Sequence, residues 1–247
     1  MTRPEVIGHR GAAALAPENT LASFRTALDA GISWVEFDVR ATADGHAVVI
    51  HDRTLDRTTD GRGRVRAHDL AALRRLDAGS WFAPGFAHEP IPTLVDALSA
   101  LRGRAIAIVE LKADDRDEAQ AVVAAVVRSL SDLSRAARRE VVVSSGTWTL
   151  PTAVRARVPD LRTALVVGRL ESADEVARAR RDRCEQLHVA LPRVTGARVE
   201  RARNAGIAVA AWTVRDVRVV PRMVRAGVAA VFADDPAAAR AAIAACS

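Results

Sequence analysis

Glu36 and Asp38 stand two residues apart in an apolar run, Ser33 to Val39, and a histidine follows the next such run at His51. Side chains on a strand alternate, so both carboxylates project from one face. Asp44-Gly45 between the two runs is a strong short-range hairpin signal. Counted as a two-residue turn, it faces Ala43 with His46 and Asp38 with His51. Directly opposed residues in an antiparallel ladder have Cβ atoms about 5 Å apart on a shared face. Oxygen donors with no thiol nearby suit a hard cation, and an imidazole suits proton transfer near neutral pH. Packing alone asks for neither.

The elements that must hold these groups follow a strand–helix rhythm. Strands are expected over Glu5–His9, Ser33–Val39, Ala105–Leu111, Val141–Ser145, Leu161–Val167, Gln186–Leu191, Ile207–Val214 and Val228–Ala233. A helix follows each, the first opening at Pro17-Glu18-Asn19-Thr20 with Asn or Thr as its cap and ending at Gly31. Others are expected over Thr93–Leu101, Glu118–Leu130, Ala173–Arg183, Thr195–Ala205, Val217–Ala226 and Pro236–Ala245, with one running through Val154. Arg53 to Pro92, rich in Gly and Pro, breaks the rhythm and reads as an insertion with a short helix near Leu70–Leu76. Buried parallel strands read as continuous apolar runs, as Val141–Val143 and Ala208–Ala211 do. Eight such units make an α/β protein, a (β/α)8 TIM barrel with a hairpin arm and the insertion after its second strand. No Gly-rich phosphate loop follows the first strand, which argues against an open doubly wound sheet. No Gly/Ser linker divides residues 1–247, so one domain is expected.

Composition narrows the function classes. The 247 residues are 49% apolar, yet no run of 18 or more apolar residues marks a membrane span. Cys184 and Cys246 lie too far apart to suggest a disulfide framework, and no apolar signal region precedes the first strand; a cytoplasmic protein is expected. The net charge of +6 invites a nucleic-acid reading. The arginines, however, recur at helical spacing in the second half, as solvated faces do, with few aromatics among them. Lys112 is the only lysine. Where arginine serves every other cationic position, a single lysine points to a need for a compact point charge.

The barrel locates the chemistry, because active sites of this architecture sit at the C-terminal ends of the strands. His9 and Arg10 end the first strand, Glu36 and Asp38 the second, Glu110 and Lys112 the third, Ser144 and Ser145 the fourth and Trp212 the seventh. Singly, each has a structural explanation: a rim histidine, carboxylates paired with arginines, a tryptophan filling the core. Polar residues gathered at one rim of several strands are harder to explain so.

Here the chain resembles the glycerophosphodiester phosphodiesterases. The resemblance rests on His9-Arg10-Gly11, Pro17-Glu18-Asn19-Thr20, Glu36-Phe37-Asp38, His51-Asp52, Arg57-Thr58-Thr59 and Glu110-Leu111-Lys112. It continues through Leu76-Asp77-Ala78-Gly79, Trp81-Phe82, Ile91-Pro92-Thr93-Leu94, Trp212-Thr213-Val214 and Gly227. It spans the chain and is densest from Val6 to Lys112. Gly146, where the family often has an aromatic, and Ala233-Asp234-Asp235-Pro236, in place of a Thr-Asp ending, are departures.

The resemblance implies metal-dependent hydrolysis of a small-molecule glycerophosphodiester to glycerol 3-phosphate and an alcohol, with a cyclic phosphate as a conceivable intermediate. The residue types suit it. Glu36, Asp38 and Glu110 would hold Mg²⁺ or Ca²⁺; His9 and His51 would be the general acid–base pair; Arg10 and Lys112 would neutralise phosphoryl charge; Trp212 would wall the substrate. His46, His68, His88 and His188 are read as structural or surface residues. Two alternatives remain. A lysophospholipase D would need an apolar groove, for which Trp81, Phe82, Phe86 and Ile91 are candidates. A non-catalytic basic binder would have no use for the carboxylates. Neither a nucleic-acid partner nor stable membrane insertion is expected, and the oligomeric state is open.

Overall fold

A computed structural model describes residues 3–168 and 174–246. Its strands are β1 (Glu5–Gly8), β2 (Trp34–Ala41), β3 (Ala47–Val49), β4 (Ile106–Leu111), β5 (Val141–Ser145), β6 (Arg162–Val167), β7 (Gln186–Ala190), β8 (Ala208–Val214) and β9 (Ala230–Ala233). The helices are α1 (Leu21–Asp29), α2 (Leu70–Leu73), α3 (Leu94–Leu101), α4 (Arg116–Ser131), α5 (Arg135–Arg139), α6 (Thr149–Arg155), α7 (Glu175–Arg181), α8 (Gly196–Asn204), α9 (Val220–Ala226) and α10 (Pro236–Ala244). Every strand except β3 runs parallel to its neighbours, and β1 pairs with both β2 and β9. That pairing closes an eight-stranded parallel barrel, with β3 added antiparallel to β2 as the hairpin arm.

The expected elements are present, with differences at their ends. Ala173, the expected start of the seventh helix, lies outside the described residues. The insertion helix stops at Leu73, and Val217–Val219 forms a 3₁₀ turn ahead of α9. Thr20, not Asn19, caps α1, its side chain accepting the Ser23 N–H.

The hairpin register differs by one residue from the expectation. Ala41 pairs with Ala47 and Val39 with Val49, so Asp38 lies opposite Ile50, whose N–H donates to the Asp38 carbonyl at 3.0 Å. His51 therefore falls one residue beyond the position facing Asp38. A two-residue type I′ turn needs positive φ at both Asp44 and Gly45, and only Gly45 (φ 83°) has it. Ala43, Asp44 and Gly45 instead form a three-residue loop, closed by the Thr42 N–H on the His46 carbonyl at 2.9 Å. The insertion fixes this wider turn: Arg66 Nη1 donates to the carbonyls of Thr42 and Ala43, and the Leu70 N–H to Asp44 Oδ1.

Side-chain alternation separates three apolar layers. Ile7, Ile108, Val142, Ala164, Ala210, Ala230 and Phe232 fill the barrel interior. Outward-facing strand residues such as Val35, Phe37, Val109, Val143 and Leu165 pack under the helices. Val48, Ile50, Leu55, Val65, Leu73 and Ile91 seat the insertion on the hairpin arm. Among the described residues, no helix is long and apolar enough to cross a membrane.

Candidate active site

Construction of the rim starts at the turn after β1. Arg10 (φ 51°) and Gly11 (φ 90°) are both left-handed, and a Cβ on Gly11 would stand 2.4 Å from Ser23 Oγ. Only glycine allows this turn to close against α1. The turn aims the Arg10 N–H at Glu36 Oε2 (3.0 Å) and the Arg10 guanidinium at Glu18 (2.7 Å) and Asp38 (3.2 Å).

Glu36 and Asp38 project from β2 into the barrel mouth, each 1% exposed. Asp38 is fully engaged. Asn19, held at φ 60°, donates its amide to Asp38 Oδ2 (3.0 Å) and accepts the Asp38 N–H (3.1 Å). Lys112 Nζ stands 3.2 Å from Asp38 Oδ1 and is also paired with Glu110. Burial works against a charged Asp38, but Lys112 and Arg10 outweigh it and hold its pKa well below the usual carboxylate range. Glu36 goes the other way: burial first, then the nearby Asp38 and Glu110 carboxylates, push its pKa well above the ordinary value. Its Oε1 is buried and accepts no hydrogen bond. Arg10 and Lys112 therefore balance Asp38 and Glu110, and the strain is concentrated on Glu36.

Ligand atoms of Glu36, Asp38 and Glu110 all lie within 4.8 Å of one another. Three converging oxygen donors, one of them bare, fit a hard divalent cation.

Both candidate histidines are anchored the same way. Asp234 Oδ1 accepts from His9 Nδ1 at 2.6 Å, and Asp52 Oδ1 accepts from His51 Nδ1 at 2.7 Å. A carboxylate at Nδ1 fixes the tautomer and leaves Nε2 with its lone pair. His9 Nε2 is 4.0 Å from Glu36 Oε2. Arg57 clamps Asp52 with bonds of 2.6 and 3.0 Å and also grips Glu18, tying the insertion to the first rim loop. Although the register shift moves His51 off the ladder, Arg40 recovers its position: Nε donates to the His51 carbonyl at 2.8 Å while Nη1 pairs with Asp114 at 2.8 Å. Burial, ahead of the flanking charges, lowers the pKa of His51.

Arg10, Glu36, Asp38, His51, Glu110, Lys112, Trp212 and His9 all line one cavity of about 160 Å³, so the eight residues marked in the sequence converge. Trp212 Nε1 donates to the His188 carbonyl at 2.9 Å, leaving only the indole ring for the cavity. The serines do not line it: Ser145 Oγ bonds the Leu111 carbonyl, and Ser144, in register with Glu110, is fully buried, its Oγ without a hydrogen-bond partner among the described residues. The insertion residues named as candidates for an apolar groove lie apart from this cavity. Trp81 meets Phe82 and Phe82 meets Phe86 edge-on at 5.6–5.7 Å, Ile91 is buried among Val48, Ile50 and Leu55, and none lines the cavity.

The sequence reading missed Asn19, Asp52, Arg57, Arg40 and Asp234 as site residues. Asp234 directly follows the eighth barrel strand, where the rim rule would have found it; Asp235 beside it caps α10. His188, read as structural or surface, faces the cavity. The basic-binder reading loses support as well, since helix arginines pair with acids, as Arg178 with Asp182, Arg198 with Glu175 and Arg201 with Asp174.

Comparison with known proteins shows which family the chain resembles in sequence and fold. The model of the glycerophosphoryl diester phosphodiesterase family matches residues 9–238. A glycerophosphodiester phosphodiesterase of Caldanaerobacter subterraneus is 32% identical over 94% of both chains. A phosphodiesterase of Oleispira antarctica, solved in complex with the product sn-glycerol-3-phosphate, superposes with a TM-score of 0.88 at 34% identity, covering 98% of each chain. The glycerophosphodiester phosphodiesterase of Agrobacterium tumefaciens gives a TM-score of 0.79 at 32% identity, over 96% of this chain and 99% of that one.

Proposed function

The chain belongs to the glycerophosphoryl diester phosphodiesterase family, and from that premise we propose that it hydrolyses glycerophosphodiesters to glycerol 3-phosphate and an alcohol by cation-dependent acid–base chemistry. One observation carries the reading: two imidazoles, each fixed by a carboxylate at Nδ1, border the same cavity as a cluster of three carboxylates. Glu36, Asp38 and Glu110 would hold Mg²⁺ or Ca²⁺, and the bare Glu36 Oε1 is the donor most in need of it. Bound there, such a cation supplies Lewis-acid polarisation of the phosphoryl group.

The remaining chemistry belongs to the chain. Lys112 and Arg10, at the edge of the carboxylate cluster, orient the phosphodiester and offset its charge. One imidazole takes the proton of the attacking hydroxyl through Nε2, and the other delivers a proton to the departing alcohol. Trp212 packs against the carbon skeleton of the substrate. Free cysteines, Cys184 buried and Cys246 half-buried, accord with a cytoplasmic setting.

A short polar diester suits this cavity better than a lysophospholipid, because the insertion aromatics lie elsewhere. Parallel assays of glycerophosphocholine and a lysophosphatidylcholine test the choice. Glycerol 3-phosphate should form from the first, with the second turned over at least about tenfold less efficiently. Equal or better use of the lysophospholipid would overturn it.

A further inference from the structure

The far wall of the cavity carries a polar group that the chemistry above does not use. Alternation along β7 sends Leu187 and Val189 outward under the helices and turns His188 inward. In the closed barrel β7 and β8 stand across from β2 and β4, so His188 and Trp212 face the carboxylate cluster. Around His188 the interior is apolar: Val166 and Ala210 are its ladder neighbours, and Phe232 meets its ring edge-on at 4.8 Å. A buried imidazole without a charged partner is a costly way to fill such a place. Burial keeps it neutral, its pKa pushed down to about 3.

Its side-chain hydrogen bond is to Gln186, two residues earlier on the same strand. Gln186 Oε1 lies 3.0 Å from His188 Nε2, and a carbonyl oxygen only accepts, so Nε2 carries the hydrogen. Nδ1 then holds a lone pair, and it has no partner among the described residues. Because the indole N–H of Trp212 is committed to the His188 carbonyl, the wall formed by Val166, His188, Trp212, Thr213 and Phe232 offers two side-chain acceptors among the described residues, His188 Nδ1 and the Thr213 hydroxyl, and of these only the imidazole nitrogen has no hydrogen of its own to donate. A lone pair repels phosphate and carboxylate oxygens and pairs with a hydroxyl hydrogen. With the phosphate held across the cavity by Arg10 and Lys112, the group reaching this wall is the far end of the polyol.

We propose that His188 is a specificity residue, its Nδ1 accepting a hydrogen bond from the terminal hydroxyl of the glycerol unit. The proposal rests on the glycerophosphodiesterase reading. It makes that hydroxyl a requirement, because an analogue lacking it leaves a buried acceptor unpaired.

The test compares two p-nitrophenyl diesters, one of glycerol 3-phosphate and one in which the terminal hydroxyl is replaced by hydrogen. Wild type should favour the glycerol diester in kcat/KM by about 10- to 100-fold. In His188→Leu that ratio should fall to near 1 through loss of the glycerol diester, and His188→Gln, which keeps an acceptor oxygen, should restore part of it. Melting curves establish that the variants fold. A wild-type ratio near 1 overturns the proposal whether or not the leucine variant folds, as does an undiminished ratio in His188→Leu. Hydrolysis of neither diester by wild type would instead overturn the glycerophosphodiesterase reading, and this one with it.

Discussion

Glu36→Gln should raise the melting temperature of the metal-free protein while weakening its response to cations. The ligand atoms of Glu36, Asp38 and Glu110 lie within 4.8 Å. At that separation a like-charge pair costs about 3 kcal/mol for an effective dielectric of about 20. Glu36 has two such neighbours, offset in part by the Arg10 N–H and guanidinium. Glutamine keeps the oxygen that accepts the Arg10 N–H and puts a donor where Oε1 has no partner. A net gain of about 1–3 kcal/mol follows, or about 3–10 °C for a chain of this length. The sign with pH is defined. A carboxyl whose folded pKa is raised contributes its full stability below the unfolded value of 4.5 and loses it as pH rises through the folded pKa. Metal-free wild type should therefore lose stability on this account as pH climbs, and the variant should not. Cation binding must expel the Glu36 proton, so the melting shift produced by Mg²⁺ or Ca²⁺ should grow with pH in wild type. Thermal melts in EDTA and in excess cation, from pH 6 to 9, measure both effects. A variant that melts below wild type in EDTA at pH 9, or that keeps the whole cation shift, would refute the reasoning.

Three further outcomes are expected. His9→Ala and His51→Ala should each lower kcat by about 10²–10⁴-fold with the fold intact by circular dichroism; the double variant should fall little further, and multiplicative losses would mean separate roles. Asp234→Asn should reduce kcat by about 10²-fold or more at nearly unchanged KM, because an amide can donate to Nδ1 and reverse the His9 tautomer; steady-state kinetics with no kcat loss would remove Asp234 from the site. Lys112→Arg keeps the charge but places a planar fork between Asp38 and Glu110, and kcat/KM should drop about tenfold, equal activity showing that a compact ammonium is not needed.

Strand parity and the rim rule made most of this site legible. Glu36, Asp38, Glu110 and Trp212 could be placed because barrel strands alternate and chemistry gathers at one end of them. The hairpin register could not, because it is not a local property. Asp44-Gly45 alone favours a two-residue turn, and Arg66 and the Leu70 N–H, both from the insertion, hold a wider one. His51 still reaches the cavity because Arg40 holds its carbonyl, a contact between residues 11 apart in the chain. Asn19 was hidden by a true helix-cap signal. Thr20 is the cap, and the positive φ that asparagine tolerates turns the Asn19 amide to Asp38. His188 was set aside for want of a motif, yet its position between Leu187 and Val189 already directed it inward. The insertion aromatics, candidates for the groove a lysophospholipase D would need, meet one another edge-on and line no part of the cavity.

In the proposed function one cavity joins a cation held by Glu36, Asp38 and Glu110 to proton transfer by His9 and His51. Phosphorus NMR of glycerophosphocholine incubated with the purified protein tests it most directly, in EDTA and then with Mg²⁺ or Ca²⁺ restored. The account predicts no conversion in EDTA and, on adding cation, a single phosphomonoester signal belonging to glycerol 3-phosphate. Undiminished turnover in EDTA, or phosphocholine as the product, would contradict it.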